Sequence, residues 1–118
     1  MKYELEAKYD HAKSFYGKAY YVCTDSFGER FELYSYDTLV AFCGYISPEF
    51  LADCGIESDC EEYVCFLTYD WDYSKTTQRH VKEFLRQFGF GEWTTPKIRK
   101  RAISVAAHCD YEKMIVRS

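Results

Sequence analysis

A histidine beside two threonines is the first place to look for chemistry in this sequence. His80 follows Thr76 and Thr77, and in a helix Thr76 lies one turn before His80, within reach of its imidazole. Nucleophilic catalysis needs such a hydroxyl and base together with a third group that orients the base. The sequence offers no third group here, and either Ser74 or Thr76 suits the cap of a helix. We therefore expect a partly buried structural histidine, with a general base as the alternative.

Six cysteines raise the question of a metal site. Cys23, Cys43 and Cys65 lie in apolar, strand-like runs, which is typical of small buried side chains. A zinc site would have to use Cys54, Cys60, Cys65, His108 and Cys109. The first three of these are separated by five and four residues, whereas common zinc motifs have two residues between paired ligands. We expect reduced thiols, no metal and no cofactor, although the sequence does not decide whether any thiols pair.

Other motifs that carry chemistry do not occur. The chain has no phosphate-binding glycine loop, no paired His-Glu metal motif and no nucleotide-binding fingerprint. The aspartates of the segment YDWDY (69–73) lack the regularly spaced oxygen ligands of a calcium loop. The sequence therefore predicts a protein that is not an enzyme and has no catalytic residue.

The charges divide the sequence into an acidic part and a basic part. Residues 1–75 hold 6 Lys/Arg and 15 Asp/Glu, a balance of −9, whereas residues 76–118 hold 9 and 4, a balance of +5, which together give the net charge of −4. Residues 49–72 contain eight carboxylates and no Lys or Arg. Such a surface is suited to a cationic protein groove, towards which its field would steer it. The predicted partner-binding residues are Glu49, Asp53, Glu57, Asp59, Glu61, Glu62, Asp70 and Asp72.

Basic residues of the last third provide an alternative, which is direct contact with nucleic acid. Four of them fall within five residues, close to Trp93, and three more share one side of a predicted helix. The alternative nucleic-acid-binding residues are Arg79, Lys82, Arg86, Lys97, Arg99, Lys100 and Arg101. A third reading is that the acidic and basic groups are ordinary hydrated surface, or that they pair with each other inside the fold.

Hydrophobic periodicity predicts the elements that must position these residues. The runs 18–24, 30–36, 38–43 and 63–69 read as strands, and Gly28 suits the turn of a hairpin between the first two. A short helix is plausible at 48–53, where Pro48 follows Ser47. The clearest helix is 75–88, because its apolar residues recur at helical spacing and Gly89 lies just beyond its end: Val81, Phe84, Leu85 and Phe88.

These elements predict an α+β fold, in which a mostly antiparallel sheet of three to five strands is covered by two main helices. The second helix is expected to start after Thr95 and run towards Ala107, and the segment YEKMIVR (111–117) is expected to add an edge strand. With 118 residues and no linker, the chain is predicted to be a single domain over 1–118.

Composition excludes several classes of protein. With 47% apolar and 29% charged residues, the chain is more apolar than a disordered protein. No apolar stretch is long enough for a membrane helix. The charged start MKYELEAKYD has no apolar segment of the kind that secretory signals carry, so we expect a cytoplasmic protein that does not bind membranes. Aromatic residues make up 19% of the chain, and tyrosine in particular suits protein interfaces as well as cores.

Three stretches resemble a family of small uncharacterised proteins of phages and mobile elements of gut bacteria. The motifs are Ser-Phe-Tyr-Gly-Lys-Ala (14–19), Ser-Tyr-x-Thr-x-Val-Ala (35–41), and Ser-x-Thr-Thr-x-Arg-His followed by Glu-Phe-Leu (74–85). The chain departs from that pattern in its acidic, cysteine-containing segment 45–62 and in its basic C-terminal third. The resemblance supplies no catalytic residues, but it implies a setting in a bacterial host cell, where small accessory proteins often act against host defences.

Together, the acidic residues and the resemblance predict a non-enzymatic inhibitor of the anti-CRISPR kind. In this hypothesis the carboxylates of 49–72 and neighbouring tyrosines occupy a Lys/Arg-lined groove that normally holds DNA or RNA. The partner would be a host protein, with a CRISPR effector nuclease as the first candidate, and the mechanism would be DNA mimicry. A nucleic-acid-binding accessory or regulatory module that uses the basic residues is the second hypothesis.

Overall fold

One antiparallel sheet of seven strands forms the frame of the computed structural model, which describes residues 1–26 and 29–117. The strand order is β1-β2-β3-β4-β5-β7-β6, so consecutive strands are neighbours except at the C-terminal edge. The strands are β1 (Lys2–Glu4), β2 (Ala19–Cys23), β3 (Phe31–Ser35), β4 (Thr38–Ile46), β5 (Glu62–Leu67), β6 (Ile103–Ser104) and β7 (Lys113–Val116). The helices are α1 (Pro48–Asp53), α2 (Lys75–Gln87) and α3 (Thr95–Arg101).

The predicted fold class is wrong, because the sheet is larger and the helices are more numerous than three to five strands covered by two helices. β1 and β6, with 3 and 2 residues, are too short to show an alternating pattern. The helix expected to run towards Ala107 ends at Arg101 because Ala102 adopts an extended conformation and Ile103 pairs with Met114. The strand expected at the edge from 111–117 lies inside the sheet, between β5 and β6.

Several individual elements are confirmed. Strands occupy the four runs predicted between residues 18 and 69, and α2 covers the predicted helix almost to its end. Ser74 caps α2, since its hydroxyl accepts a hydrogen bond from the backbone N–H of Thr77 at 3.1 Å. The positive φ expected at Gly28 concerns a residue that lies outside the described ranges.

Side chains on the two faces of the sheet enter two separate apolar clusters. Alternate residues of β5 diverge: Cys65 and Leu67 pack under α2, whereas Val64 and Phe66 pack under α1 on the opposite face. The stripe Val81, Phe84 and Leu85 of α2 is fully buried against the first face. The helix face is therefore closed by α2 and α3, and the opposite face is closed only near β5 and β7, by α1 and the residues around Val105 and Tyr111.

No helix among the described residues is long and apolar enough to cross a bilayer; the longest, α2, has 13 residues.

Candidate functional site: an acidic segment and a tyrosine-walled pocket

Six of the eight predicted partner-binding carboxylates lie together on α1 and the loop that leads into β5. We call residues 49–62 the acidic segment; five of its carboxylates are exposed and that of Glu62 is half-buried. Helix α1 begins at Pro48 behind the cap Ser47, whose hydroxyl accepts from the N–H of Phe50, and it is anchored by the fully buried Leu51. Burial of Leu51 turns the polar side of this short helix outwards, and the carboxylates of the acidic segment stay in water.

Basic residues do not neutralise the acidic segment. Within residues 1–26 and 29–117, Asp72 is the one member of the predicted carboxylate set that pairs with a basic side chain, at 3.4 Å from Arg99. The alternative in which the carboxylates of 49–62 pair with the basic third is therefore absent from the described chain. Exposed carboxylates without a neighbouring positive charge produce a negative electrostatic potential in the surrounding solvent, which attracts basic partners.

The predicted acidic surface is divided into two parts by strand β5. Glu62 begins this strand, whereas Asp70 and Asp72 follow its end at Leu67. A six-residue strand spans about 20 Å, so these two aspartates lie well away from the acidic segment. Sequence proximity concealed this separation because a strand moves the chain much farther per residue than a helix does.

Most of the predicted basic residues are engaged locally. Arg79 binds the carboxylate of Asp10, Arg86 binds Glu92, and Arg99 binds Asp72. The ammonium of Lys97 lies 4.4 Å from the ring centroid of Trp93. Lys82, Lys100 and Arg101 make no ion pair within the described ranges. Lys100 and Arg101 are exposed at the C-terminal end of α3, where the helix dipole stabilises positive charge.

A buried chain of hydrogen bonds joins β3 to α2, and we call it the hydroxyl–histidine network. The Ser35 hydroxyl lies 2.8 Å from Nδ1 of His80 and 3.1 Å from the hydroxyl of Thr77, which in turn accepts from Ser74 at 3.1 Å. Ser35 and Thr77 are each 2% exposed and His80 is fully buried. The segments 14–19, 35–41 and 74–85 meet here, since the ring of Phe15 lies edge-on to His80 at 4.7 Å.

His80 is more buried than the sequence indicated, and its partner is Ser35 instead of Thr76. Loss of water around the ring lowers the pKa of His80 to about 4, and the nearby positive charge of Arg79 adds to this effect. Its Nε2 has no hydrogen-bond partner among the described residues. The imidazole is therefore neutral at physiological pH. Within residues 1–26 and 29–117 no carboxylate forms a hydrogen bond to it, so the third member of a catalytic triad is missing from this part of the chain.

A cavity of about 390 Å³ opens beside this network. Its wall includes the exposed rings of Tyr36 and Tyr73, and the carboxylate of Asp70 provides its charged group. We call this cavity the tyrosine pocket; it is lined by Ser35, Tyr36, Thr38, Val40, Asp70, Tyr73 and Thr77.

The turn between β3 and β4 shapes one side of the tyrosine pocket. Tyr36 and Asp37 both have left-handed backbone conformations, with φ of 52° and 66°, which side chains other than glycine rarely adopt. The Tyr36 N–H donates to the carbonyl of Lys18 at 2.8 Å, and the Tyr20 hydroxyl donates to Asp37 at 3.0 Å. These two hydrogen bonds stabilise a two-residue hairpin turn with positive φ at both positions, a conformation for which Asn-Gly is the preferred sequence.

The cysteines form no metal site in the described part of the chain. No group of three or more His, Cys, Asp or Glu side chains there is close enough to hold an ion, and all six cysteines are free. Cys43 and Cys65 are buried directly opposite each other in β4 and β5, as expected, whereas Cys23 is only half-buried. Burial raises the pKa of Cys43 to about 11, so this thiol is not a reactive nucleophile at neutral pH.

Two buried polar residues, Ser35 and Glu83, were not predicted from the sequence. Ser35 was identifiable in principle, because it continues the inward alternation of Phe31 and Leu33 and a polar residue there needs a buried partner. Glu83, which is 2% exposed, accepts the N–H groups of Tyr9 and Asp10, each at 2.9 Å. Glu83 gave no sequence signal, since both donors come from a loop more than 70 residues away.

Comparison with known proteins identifies a family whose function is unknown. A family model described as "Family of unknown function (DUF8033)" matches residues 3–103 of the 118. The searches of curated proteins and of solved structures returned no match.

Proposed function

The chain belongs to this family of unknown function (DUF8033), and from that starting point we propose that it is a non-enzymatic inhibitor of a nucleic-acid-handling protein. The acidic segment occupies a Lys/Arg-lined groove of the partner in place of DNA or RNA. In keeping with the resemblance to proteins of phages and mobile elements, the proposed setting is the cytoplasm of a bacterial host, and the proposed partner is a defence protein such as a CRISPR effector nuclease.

The observation that supports this proposal most strongly is the solvent exposure of the acidic segment. Five exposed carboxylates and Glu62 follow one another within 14 residues without a basic partner in the described chain. Crowding like charges on one short surface opposes folding, and a cationic partner removes that repulsion. Charge complementarity of this kind accelerates association and selects basic partners.

Tyrosines add contact area beside the charges. Tyr45 is exposed and lies opposite Tyr63 in the register where Ile46 faces Glu62, so it is near the end of the acidic segment along the sheet, on the face that carries α2. Its ring packs edge-on against that of Tyr63 at 4.9 Å, which leaves one rigid aromatic face at the surface. Rigid tyrosines of this type are frequent in the centres of protein interfaces.

The state of the hydroxyl–histidine network supports the non-enzymatic part of the proposal. Ser35 is buried, and His80 has no orienting carboxylate in the described chain. A hydroxyl nucleophile needs a base that a third group holds in orientation, and no hydrogen-bonding group of the described residues contacts Nε2 of His80.

Direct nucleic-acid binding remains the second candidate because Lys100 and Arg101 are exposed and unpaired within the described ranges. It ranks lower because three of the seven predicted basic residues already hold carboxylates. A gel-shift assay separates the two candidates. A nucleic-acid binder gives a shift that weakens steeply with salt and depends on Lys100 and Arg101, whereas the proposed inhibitor gives no shift.

The experiment that tests the proposal is charge reversal in the acidic segment. Glu57, Asp59 and Glu61 are exposed and make no side-chain hydrogen bond in the described chain, so replacing all three by Lys leaves the fold intact. Glu62 is kept because it accepts from Ser58 at 3.0 Å and braces the loop. A matched control replaces three exposed carboxylates elsewhere by Lys and changes the net charge equally: Glu6, Glu29 and Asp110.

Pull-down and nuclease inhibition with a CRISPR effector are the measurements. We expect the Glu57/Asp59/Glu61 variant to lose binding at least about 100-fold, since each rim charge pair contributes about 1 kcal/mol, while the control keeps most of it. Equal inhibition by the reversed variant and the unmodified protein would refute the proposed mechanism.

A further inference from the structure

We propose that the tyrosine pocket binds a guanidinium group, and that it receives one arginine side chain of the basic partner. This inference rests on the proposed function for the source of the arginine. The preference of the pocket for a guanidinium depends on its lining alone, and it gives Asp70 a role distinct from that of the acidic segment.

The charge of the lining selects a cation. Asp70 is the one charged residue among those that line the pocket, and no Lys or Arg belongs to that lining within the described ranges. Its carboxylate makes no hydrogen bond or ion pair there, although the neighbouring Asp72 is held by Arg99. Both oxygens of Asp70 are therefore available to two parallel N–H groups of a guanidinium.

The aromatic walls favour a flat cation. Guanidinium is planar and weakly hydrated, so it stacks on tyrosine rings more readily than an ammonium does. Tyr36 and Tyr73 expose 48% and 83% of their surface at the mouth of the pocket, which leaves both rings accessible. Nζ of Lys18 lies 5.8 Å from the centroid of the Tyr36 ring, near the limit of a cation–π contact, so within the described ranges Tyr73 is the ring without a neighbouring cation.

The floor of the pocket offers hydroxyl oxygens. A hydroxyl has one donor and two acceptor sites, and Ser35 and Thr77 each use two of the three within the hydroxyl–histidine network. One site is left on each oxygen. Because His80 is neutral at physiological pH, it puts no positive charge beneath the floor that would repel a bound cation.

The pocket is formed before any ligand arrives. The left-handed residues Tyr36 and Asp37 fix the turn, and the helix cap at Ser74 fixes Thr77 on the opposite side. A volume of about 390 Å³ suits one long side chain and falls near the lower end of the range for small-molecule sites. Pre-formed walls reduce the entropy lost when a side chain binds.

The test uses blocked amino acids as probes, without any partner protein. N-acetyl-L-arginine methylamide is titrated into the full chain and followed by NMR chemical shifts of the backbone amides. N-acetyl-L-citrulline methylamide, which has the same shape without the charge, is the ligand control. Asp70→Asn is the pocket variant, and Asp53→Asn, which removes the same charge from the acidic segment, is the protein control.

We expect the arginine probe to shift the amides of residues 35–38 and 70–77, with an affinity that falls at least about tenfold in Asp70→Asn and stays within twofold of the unmodified protein in Asp53→Asn. Tyr73→Ala is expected to weaken binding several-fold, whereas Tyr73→Phe preserves it. Absence of saturable shifts, equal binding of citrulline, or equal binding by Asp70→Asn would overturn the proposal.

Two further arms separate the sources of failure. Free L-arginine that binds more than tenfold tighter than the blocked probe would identify a metabolite as the ligand and overturn the assignment to a partner side chain. The triple Lys variant at Glu57, Asp59 and Glu61 is expected to bind the probe as the unmodified protein does. If the probe binds but that variant still inhibits the effector, the pocket stands and the proposed function fails.

Discussion

Folding stability should depend on the protonation of His80 in a pH range where carboxylates contribute little. In the folded protein burial lowers the pKa of His80 from 6.5 to about 4. Between these values the unfolded chain binds a proton that the folded chain does not, so stability falls as the pH decreases. The full difference corresponds to about 3 kcal/mol, and about 2 kcal/mol of it is lost between pH 7.5 and pH 5.

Urea unfolding at half-unit steps from pH 7.5 to pH 4.5 measures this loss. The lower limit avoids Asp10, whose pKa is held at about 2 by Arg79 and whose contribution is lost only below its ordinary value of 3.8. The His80→Gln variant should lose most of the slope, whereas His108→Gln, at an exposed position, should keep it. An unchanged slope in His80→Gln, or a stability that is flat from pH 7.5 to pH 5, would refute the assignment.

Two other predictions concern the loop and the turn that flank this region. Glu83→Ala should destabilise the fold by about 3 kcal/mol in urea unfolding, because two backbone N–H groups lose a charged acceptor, whereas Glu92→Ala should cost less than about 1 kcal/mol; similar costs would contradict this role of Glu83. Replacing Tyr36-Asp37 by Asn-Gly should raise the free energy of unfolding by about 1 kcal/mol, since Asn and Gly adopt the left-handed backbone conformation with less strain. The same variant should bind the arginine probe more weakly, because it lacks the Tyr36 ring. An Asn-Gly variant no more stable than the unmodified protein would show that the turn carries no such strain.

Local periodicity predicted those parts of the fold that depend on neighbouring residues. Helix α2 was readable because Val81, Phe84 and Leu85 form one apolar stripe and Ser74 can cap the first turn. The start of helix α3 was predicted as well, but its end was not, because Ala102 and Ile103 are compatible with a helix. They leave it because Ile103 pairs with Met114, which lies 11 residues further on. A cross-strand pairing of this kind has no local signature.

The candidate site shows the same division. The sequence identified the carboxylates of the acidic segment, but it left open whether they pair with the basic residues. Their exposure follows from the short helix α1, which buries Leu51 and leaves its polar side outside. The tyrosine pocket combines the β3–β4 hairpin, the loop that follows β5, and α2, so no single stretch of sequence contains it. Ser35 and His80 are 45 positions apart, and only the register of β3 and the rotation of α2 together bring them to 2.8 Å.

Competition between this protein and nucleic acid for one groove of the partner is the most direct measurement. A CRISPR effector is immobilised and saturated with the protein, and its guide RNA or target DNA is then added at increasing concentration while both bound species are quantified. We expect mutual displacement, in which the apparent affinity of the effector for this protein weakens in proportion to the concentration of nucleic acid. The variant with Lys at Glu57, Asp59 and Glu61 is expected not to compete. A stable ternary complex of effector, nucleic acid and this protein would contradict the proposed mechanism.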